Sequence, residues 1–341
     1  MGMKKLYLVD VSSMFFRAYY AIRPLSNADG LPTNAIYGYL SMMIKLIKDV
    51  QPDYMALCYD RPEASFRKDL YSEYKANRSA MPEDLSPQIP YIKKISNLMG
   101  VASFEKKGFE ADDVIGTLAK FGEKQSVEVV IVSGDKDFAQ LINQKVTMHD
   151  TMKNKHYNVE EAIEKWGVHP DHFIDYLALT GDSSDNIPGV RGVGPKGAQK
   201  LINEYKDLDS IYKDIDNIKP AGMQKKLIES KENAFLSKDL VTIRTDVDFK
   251  LKLEELKLGA IQREEMEKVL DELEFQSFKK NLFGGPAKTK EKSAKKKKEG
   301  AEETEAELST AIPYAEKAIG SWLKSVKERW VWSYKQEILL A

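Results

Sequence analysis

Cysteine is nearly absent from this sequence, since Cys58 is the only one among 341 residues. A single cysteine excludes a disulfide framework within the chain and favours a reducing compartment. The four histidines show no zinc-type pairing, which argues against a zinc site. Long apolar runs are also missing, because no stretch approaches the roughly 18–20 residues that a membrane span requires. We therefore expect a soluble, cytoplasmic protein.

No excess of charge of one sign indicates a partner. Lys and Arg number 52, Asp and Glu number 53, and the net charge is −1. A near-neutral total can still include an acidic pocket inside a basic rim. With 42% hydrophobic residues, the chain can form one large domain or two smaller ones.

What the sequence does contain is three short apolar runs that each lead to aspartate. The runs cover residues 6–9, 54–59 and 127–132, and they are followed by Asp10, by Asp60, and by Asp135 with Asp137. Short apolar runs that alternate with amphipathic segments predict an α/β fold with a mainly parallel central sheet and helices on both faces. Ligand sites in such sheets lie beyond the carboxyl ends of the strands.

Two acidic clusters add to this pattern. Glu110, Asp112 and Asp113 precede or begin a predicted helix, and Asp182 and Asp185 follow another. Each acid alone could be a helix cap or complement the helix dipole. Nine carboxylates at strand ends and helix starts would repel one another without a cation. Oxygen ligands without His or Cys favour Mg²⁺ or Mn²⁺.

Residues 61–85 contain interleaved aromatic and basic side chains with no clear apolar stripe. A segment of this length without its own core is usually either disordered or a functional loop over a site.

After residue 182 the pattern becomes helical, and it includes a predicted single helix over residues 262–278. Gly192 and Gly194 permit a tight turn, and Pro195 suits the first position of the following helix. The helix N-terminus would leave backbone N–H groups for a phosphate, and Lys196 and Lys200 add charge. A plain tight turn is the alternative, but the neighbouring acids favour binding of a phosphodiester backbone.

These features together resemble the 5′-nuclease (flap endonuclease) domain of bacterial DNA polymerase I. The resemblance covers about residues 3–285 and rests on Leu8-Val9-Asp10, Tyr59-Asp60, Ser65-Phe66-Arg67, Tyr74-Lys75-Ala76-Asn77-Arg78, Gly108-Phe109-Glu110-Ala111-Asp112-Asp113, Asp135-Lys136-Asp137, Leu179-Thr180-Gly181-Asp182-Ser183-Ser184-Asp185-Asn186 and residues 188–198. A weaker similarity, over residues 312–332, is to the start of the 3′–5′ exonuclease-like domain of the same polymerase, without its acidic motif.

The resemblance implies a PIN-like nuclease fold and two divalent metal ions. Its implied ligands of the first metal are Asp10, Asp60, Glu110, Asp112 and Asp113, and those of the second are Asp135, Asp137, Asp182 and Asp185. Residues 61–85 would form an arch over the 5′ strand. Lys75 and Arg78 would reach the scissile phosphate, and Arg67 would offset charge on the phosphoryl oxygens.

The resemblance also implies a helix–three-turn–helix that grips the duplex backbone, with a monovalent cation such as K⁺ on its carbonyls. The expected DNA-binding residues there are Gly192, Gly194, Lys196, Gly197 and Lys200. Tyr20 and Tyr74 are candidates for stacking on an unpaired base, although Tyr20 could equally be a packed core aromatic.

The expected domains are an α/β nuclease core over residues 3–181, a helical duplex-binding subdomain over 182–285, a low-complexity linker over 286–308 and an amphipathic remnant over 309–341. No polymerase domain is recognised. The implied function is a 5′–3′ exonuclease and 5′-flap endonuclease of bacterial replication and repair. It would act as a monomer at the nucleoid on branched or nicked duplex DNA and on RNA primers, with a polymerase in cis or in trans.

Three other functions are weighed against this one. A DNA-binding module without catalysis is disfavoured because all nine acids are present. A phosphatase-like hydrolase with Asp10 as nucleophile would want a second acid where Ser12 stands. A ribonuclease of a related metal-dependent fold does not account for the glycine-rich, duplex-binding turn.

Overall fold

The computed structural model describes residues 3–283. The predicted linker and the amphipathic segment that follows it lie outside the described residues. Six strands within residues 3–283 form one sheet: β1 (Lys5–Asp10), β2 (Tyr54–Cys58), β3 (Ala102–Phe104), β4 (Glu128–Val132), β5 (Val146–Asp150) and β6 (Lys155–Tyr157).

The spatial order of the strands is β3-β2-β1-β4-β5-β6, and all neighbours are parallel except β5 and β6. The three apolar runs correspond to β2, β1 and β4, which lie side by side. The prediction of a mainly parallel sheet is therefore confirmed. Strands β3, β5 and β6, which lie outside the three central strands, were not predicted, because polar residues interrupt their apolar pattern.

Helices cover both faces of the sheet, as expected. Within residues 3–283 they are α1 (Val11–Ala21), α2 (Asn34–Val50), α3 (Phe66–Leu70), α4 (Gln88–Leu98), α5 (Ala111–Lys124), α6 (Val159–Trp166), α7 (Phe173–Thr180), α8 (Pro195–Tyr205), α9 (Leu208–Lys213), α10 (Ala221–Glu229), α11 (Lys231–Val241), α12 (Arg263–Glu272) and α13 (Gln276–Phe283). Among these helices, none has the length and apolar character needed to cross a membrane.

The alternation of side chains along β1 explains the two-sided core. Leu6 and Leu8 point to one face, where they pack in a cluster with residues of α5, α7, α8 and α11. Tyr7 and Val9 point to the other face and pack with residues of α1, α2, α4 and α12. Helices α8 and α11, which follow residue 182, therefore share a continuous core with the first face of the sheet, whereas α12 packs on the second.

Two predictions about local structure need correction. The single helix expected over residues 262–278 is divided into α12 and α13, because Glu274 has a φ of 62° and the Phe275 N–H donates to the Leu270 carbonyl. The segment over residues 61–85 includes the short helix α3 and buries Tyr74 and Leu85. It is therefore packed against the domain more closely than its composition indicated.

Candidate functional site

The parallel strands deliver three aspartates to one edge of the sheet. Asp10 is the last residue of β1, Asp60 comes two residues after β2, and Asp135 comes three residues after β4. Asp10 also caps α1, because its carboxylate accepts from the Ser13 N–H at 3.0 Å. The same carboxylate accepts from the Ser133 hydroxyl, after β4, at 2.9 Å. The Asp60 carboxylate accepts from the Ala111 N–H at 2.9 Å, which brings the start of α5 to the same edge.

The electrostatics of this edge are dominated by burial and mutual repulsion. Burial raises the pKa of Asp10 to about 7, and the negative charges of Asp60 and Asp135 add to the effect. Burial likewise raises the pKa of Asp112 well above its usual range, with further contributions from Asp135 and Asp10. These carboxylates therefore lie close enough to disfavour one another's charge, an arrangement that a bound cation would stabilise.

Asp135 and Asp137 follow β4 at the start of a short 3₁₀ helix (Lys136–Leu141), in which Asp135 is the N-cap residue and Asp137 lies in the first turn. The Asp135 carboxylate accepts from the Asp137 N–H at 2.9 Å. One carboxylate oxygen of Asp137, Oδ1, is buried without a hydrogen-bond partner in the described structure. Burial, followed by repulsion from Asp135, raises the pKa of Asp137 well above its usual range. A buried carboxylate oxygen without a donor is a position that a cation would satisfy.

The remaining acids are paired with cations of the chain itself. Although burial opposes it, Lys75 holds the pKa of Glu110 below its usual value, and the two side chains meet at 3.0 Å. Lys136 lies 2.6 Å from Asp182, and Lys75 lies 3.6 Å from Asp185. Arg78 also forms an ion pair with Asp185.

Among residues 3–283, no group of three His, Cys, Asp or Glu side chains converges in a ready-made metal site. The predicted division of the acids between two metals stays a prediction. Asp135 lies near acids of both predicted groups: its charge contributes to the raised pKa of Asp10, and burial, followed by the charges of Asp185 and Asp182, raises its own pKa.

The predicted roles of Asp113 and Arg67 are contradicted by their positions. Asp113 is fully buried, and both of its oxygens accept from the Arg67 guanidinium at 2.8 Å. The Asp113 carboxylate also accepts from the N–H groups of Glu110 and Arg244. Arg67 is 2% exposed and donates to the carbonyls of Leu240 and Thr242. Each Asp113 oxygen already accepts two hydrogen bonds, and the buried Arg67 is held by Asp113, by the two carbonyls and by Glu110 at 3.5 Å. This pair therefore ties α3 to α5 and to the end of α11.

Of the two tyrosines predicted to stack on a base, only Tyr20 is placed at the surface. Tyr20 is 64% exposed on α1 and lies edge-on to Tyr19, with ring centroids 5.0 Å apart. Tyr74 is 5% exposed, and its hydroxyl donates to Glu110 at 3.0 Å. The stacking role of Tyr74 is therefore wrong for this conformation, because its ring is covered and its hydroxyl orients a carboxylate. The stacking role of Tyr20 stays a prediction.

The part of the arch segment (residues 61–85) that carries the cations lies directly on the loop of Asp182 and Asp185. The Lys75 N–H donates to the Asp185 carbonyl at 2.9 Å. The Asn77 amide donates to the Ser183 carbonyl at 2.6 Å, and the Asn186 amide donates to the Glu73 carbonyl at 2.7 Å. These contacts bring Lys75 and Arg78 to the acidic edge, where the sequence placed them only through the family resemblance.

Behind this loop, Gly181 and Gly189 are in close contact. A Cβ atom on Gly189 would lie 2.5 Å from the Gly181 nitrogen, and both glycines have positive φ. The buried Ser237 hydroxyl on α11 accepts from the Gly189 N–H at 2.9 Å. The sequence analysis did not identify Ser237, because no local sequence pattern relates a serine 48 residues away to this turn.

The glycine-rich turn itself leads into α8 as predicted. Gly194 is the N-cap residue and provides no side-chain hydrogen bond, and Pro195 is the first helical residue. Lys196 and Lys200 are exposed on α8, whereas Gly197 is half-buried. The Gly192 carbonyl accepts from the Lys226 ammonium on α10 at 2.9 Å, a contact that the sequence did not indicate. The turn therefore presents backbone N–H groups beside several lysines.

A PIN-like α/β nuclease fold with buried carboxylates at the carboxyl edge of its sheet is the class that this architecture defines. Two family models match consecutive parts of the chain. Residues 5–167 match the N-terminal resolvase-like domain of 5′-3′ exonucleases, and residues 168–264 match their C-terminal SAM fold. The chain belongs to the 5′-3′ exonuclease family, and it is a nuclease chain related to DNA polymerase I.

Curated relatives agree with this assignment. The chain is 39% identical over 280 residues to the 5′-3′ exonuclease of Aquifex aeolicus, covering 82% of this chain and 96% of that protein. It is 41% identical over 284 residues to DNA polymerase I of Caldicellulosiruptor bescii, covering 82% of this chain and 33% of the polymerase. The chain thus spans about a third of the length of that polymerase.

Solved structures share the fold at low sequence identity. A zinc-bound structure of T5 5′-exonuclease has a TM-score of 0.62 and 22% identity, covering 79% of this chain and 99% of that one. The catalytic core of Rad2 in complex with DNA substrate has a TM-score of 0.53 and 14% identity, covering 80% of this chain and 88% of that one. At these identities the likeness concerns the fold.

Proposed function

We propose that the chain is a metal-dependent 5′–3′ exonuclease and structure-specific 5′-flap endonuclease that hydrolyses phosphodiesters of DNA and of RNA primers in replication and repair. The observation that carries the proposal is that Asp10 and Asp135, which end or follow strands, and Asp112 at the start of α5 are buried close together, so that burial and one another's charges raise their pKa values. The zinc-bound T5 5′-exonuclease supports a role for divalent ions, and the Rad2 complex supports DNA as the substrate class.

The donor set suits a hard divalent cation. Four of the candidate ligands, Asp10, Asp112, Asp135 and Asp137, have pKa values raised by burial and by neighbouring carboxylates, and Oδ1 of Asp137 has no hydrogen-bond partner in the described structure. Two Mg²⁺ or Mn²⁺ ions would be held by Asp10, Asp60, Glu110, Asp112, Asp135, Asp137, Asp182 and Asp185. When bound, such ions would supply an activated water and charge stabilisation for in-line displacement.

The chain's own cations have a separate role. Lys75 and Arg78 now bind Glu110 and Asp185, and a phosphodiester at this edge would offer the same kind of oxygen acceptors. Their charges would then offset the negative charge that develops on the phosphoryl oxygens. Because residues 73–78 are held on the loop of Asp182 and Asp185, these cations can be positioned before the substrate arrives.

The start of α8 would bind the duplex, away from the acidic edge where the reacting phosphate would lie. Backbone N–H groups at the start of α8, with Lys196 and Lys200, suit the backbone of a duplex and provide no base readout. Selection would come from duplex shape and a free 5′ strand. We propose a monomer that acts at the nucleoid in the cytoplasm, with a polymerase in cis or in trans. The division into a nuclease core over residues 3–181 and a duplex-binding part over 182–285 belongs to the same proposal.

A labelled 5′-flap substrate tests this function. We expect cleavage near the flap junction with Mg²⁺ and none with EDTA, because the acids cannot act without a cation. The matched control is the same duplex with a 3′ flap, which should remain intact, and an RNA 5′ end tests the primer substrate. Tight binding with Mg²⁺ and no cleavage would instead favour a silent DNA-binding module, and cleavage in EDTA would exclude the metal requirement.

Lys75 provides a sharper test of the arch segment. Lys75→Ala should slow single-turnover cleavage on the order of 10²–10³-fold, because it removes a cation at the reacting phosphate. Duplex binding, measured by anisotropy in Ca²⁺, should change less than about threefold, because only one of many phosphate-facing charges is lost. Lys107→Ala removes the same charge from an exposed position and should leave both quantities near wild type. Equal losses of cleavage and binding in Lys75→Ala would contradict this role.

A further inference from the structure

The glycine-rich turn (residues 189–194) is held by different elements in its first and second halves. Its first half is fixed from α11 and α7, where Gly189 donates to the Ser237 hydroxyl and Val190 donates to the Leu179 carbonyl. Its second half contains Gly192, which has a φ of 77° and is exposed. In this half the Gly192 carbonyl accepts from the Lys226 ammonium at 2.9 Å.

Helix α10 follows the surface of the turn closely. A Cβ atom on Gly192 would lie 3.1 Å from the Lys226 side chain, and a Cβ atom on Gly197 would lie 3.2 Å from the Met223 methyl group. Met223 and Lys226 are three residues apart and so share a face of α10. This face covers both the turn and the first turn of α8.

The position of α10 is itself determined by the fold. The Gln224 amide donates to the Ile215 carbonyl at 3.0 Å, and the Tyr212 hydroxyl donates to the Leu227 carbonyl at 2.9 Å. Leu227 is fully buried. The Lys226 ammonium therefore extends from an anchored helix to a turn whose glycines would otherwise allow many conformations.

We propose that Lys226 is a positioning residue for duplex binding: its ammonium holds the Gly192 carbonyl and so orients the N–H groups at the start of α8 toward a phosphate. The inference rests on the proposed function, because it concerns the turn that would bind the duplex. The ammonium also neutralises the partial negative charge of a carbonyl that lies beside the path of a phosphate. Lys226 thereby does at Gly192 what a K⁺ ion was expected to do at this turn.

The neighbouring Lys225 provides a matched control. Lys225 is exposed on the same helix and pairs with Glu229 at 3.7 Å, away from Gly192. Lys225→Met and Lys226→Met remove the same charge and introduce the same side chain. Any difference between the two variants therefore reports on the Gly192 contact and not on the net charge of the helix.

The experiment measures the Kd of a blunt duplex by anisotropy in Ca²⁺ and the single-turnover cleavage rate of a 5′ flap at saturating enzyme. Lys226→Met should weaken duplex binding about tenfold and Lys225→Met about twofold, while the saturated cleavage rate of both stays within twofold of wild type. Lys226→Arg should restore binding, because a guanidinium can also donate to the carbonyl. The slope of log Kd against log salt should be equal in the two Met variants, because a lost phosphate contact would lower it by about 1.

Further results distinguish failure of the role proposed for Lys226 from failure of the proposed function. The tenfold loss of Lys226→Met is expected in tetramethylammonium chloride and should be smaller in KCl, where K⁺ can take the place of the ammonium, whereas the wild type should bind equally well in both salts. Equal Kd values for the two Met variants would overturn the role of Lys226, and so would a lower salt slope for Lys226→Met alone. A wild type that neither binds the duplex nor cleaves the flap would instead overturn the proposed function.

Discussion

Asp112→Asn should lower the rate of flap cleavage on the order of 10²–10³-fold and leave the metal-free protein at least as stable as wild type. The loss of activity follows if Asp112 helps to hold a metal ion that stabilises the transition state. The unchanged or higher stability follows because the Asp112 carboxylate is buried near Asp135, Asp10 and Asp60, which disfavour its charge. Single-turnover cleavage in Mg²⁺ and thermal unfolding in EDTA measure the two effects.

The control for Asp112→Asn is Glu160→Gln. Glu160 is also an acid in the first turn of a helix, α6, but it is exposed. Its replacement should cost only the small interaction with the helix dipole, about 0.3–1 kcal/mol, and should not change the cleavage rate. Lower stability of Asp112→Asn in EDTA would contradict the repulsion described here, and retention of more than a tenth of the wild-type rate would contradict the metal-binding role.

Asp113→Asn should have the opposite profile, with a loss of about 3–5 kcal/mol in the free energy of unfolding. The Arg67 guanidinium is buried against Asp113, and a neutral amide leaves that cation with only the more distant Glu110 carboxylate, at 3.5 Å, as a counter-charge. Urea unfolding in EDTA, followed by circular dichroism, measures the loss. The cleavage rate of the fraction that remains folded should fall less than that of Asp112→Asn.

A double-mutant cycle tests whether the two side chains act as a pair. Arg67→Met alone should also be strongly destabilising, because it leaves the Asp113 carboxylate buried without its partner. Arg67→Met combined with Asp113→Asn should cost less than the sum of the single changes, because no buried charge remains unpaired. Additive losses, or a loss below 1 kcal/mol for Asp113→Asn, would show that the ion pair is not what holds α3 against α5.

Asp112 and Asp113 illustrate how far sequence reasoning reaches. Both belong to one acidic motif, and the family resemblance implied the same metal for both. Adjacent residues at the start of a helix point in directions about 100° apart, so only one of them can face the pocket while the other faces the core. Which one faces the core depends on the rotation of α5 against α3, and that rotation is determined by distant contacts such as those of Arg67 with Leu240 and Thr242.

Tyr74 and Lys226 illustrate the same limit. Tyr74 lies in a polar, basic segment, and its burial depends on the docking of residues 73–78 against residues 183–186. Lys226 is one of several lysines in a helical stretch, and only the packing of α10 against the turn distinguishes it from Lys225. The two residues in each of these contacts are 34 to more than 100 positions apart in the sequence. Such contacts leave no local sequence pattern, because they do not constrain the residues next to either partner.

From the sequence alone came the apolar runs, their alternation with helices, the acids that follow them and the glycine-rich entry to α8. These features are local: strand and helix periodicity, turn residues and the rule that parallel strands bring their carboxyl ends to one edge. They are enough to predict the sheet and the acidic edge. The tertiary structure decided which of those acids face the pocket, which one is paired in the core, and which cations reach them, because these depend on how helices far apart in the chain pack together.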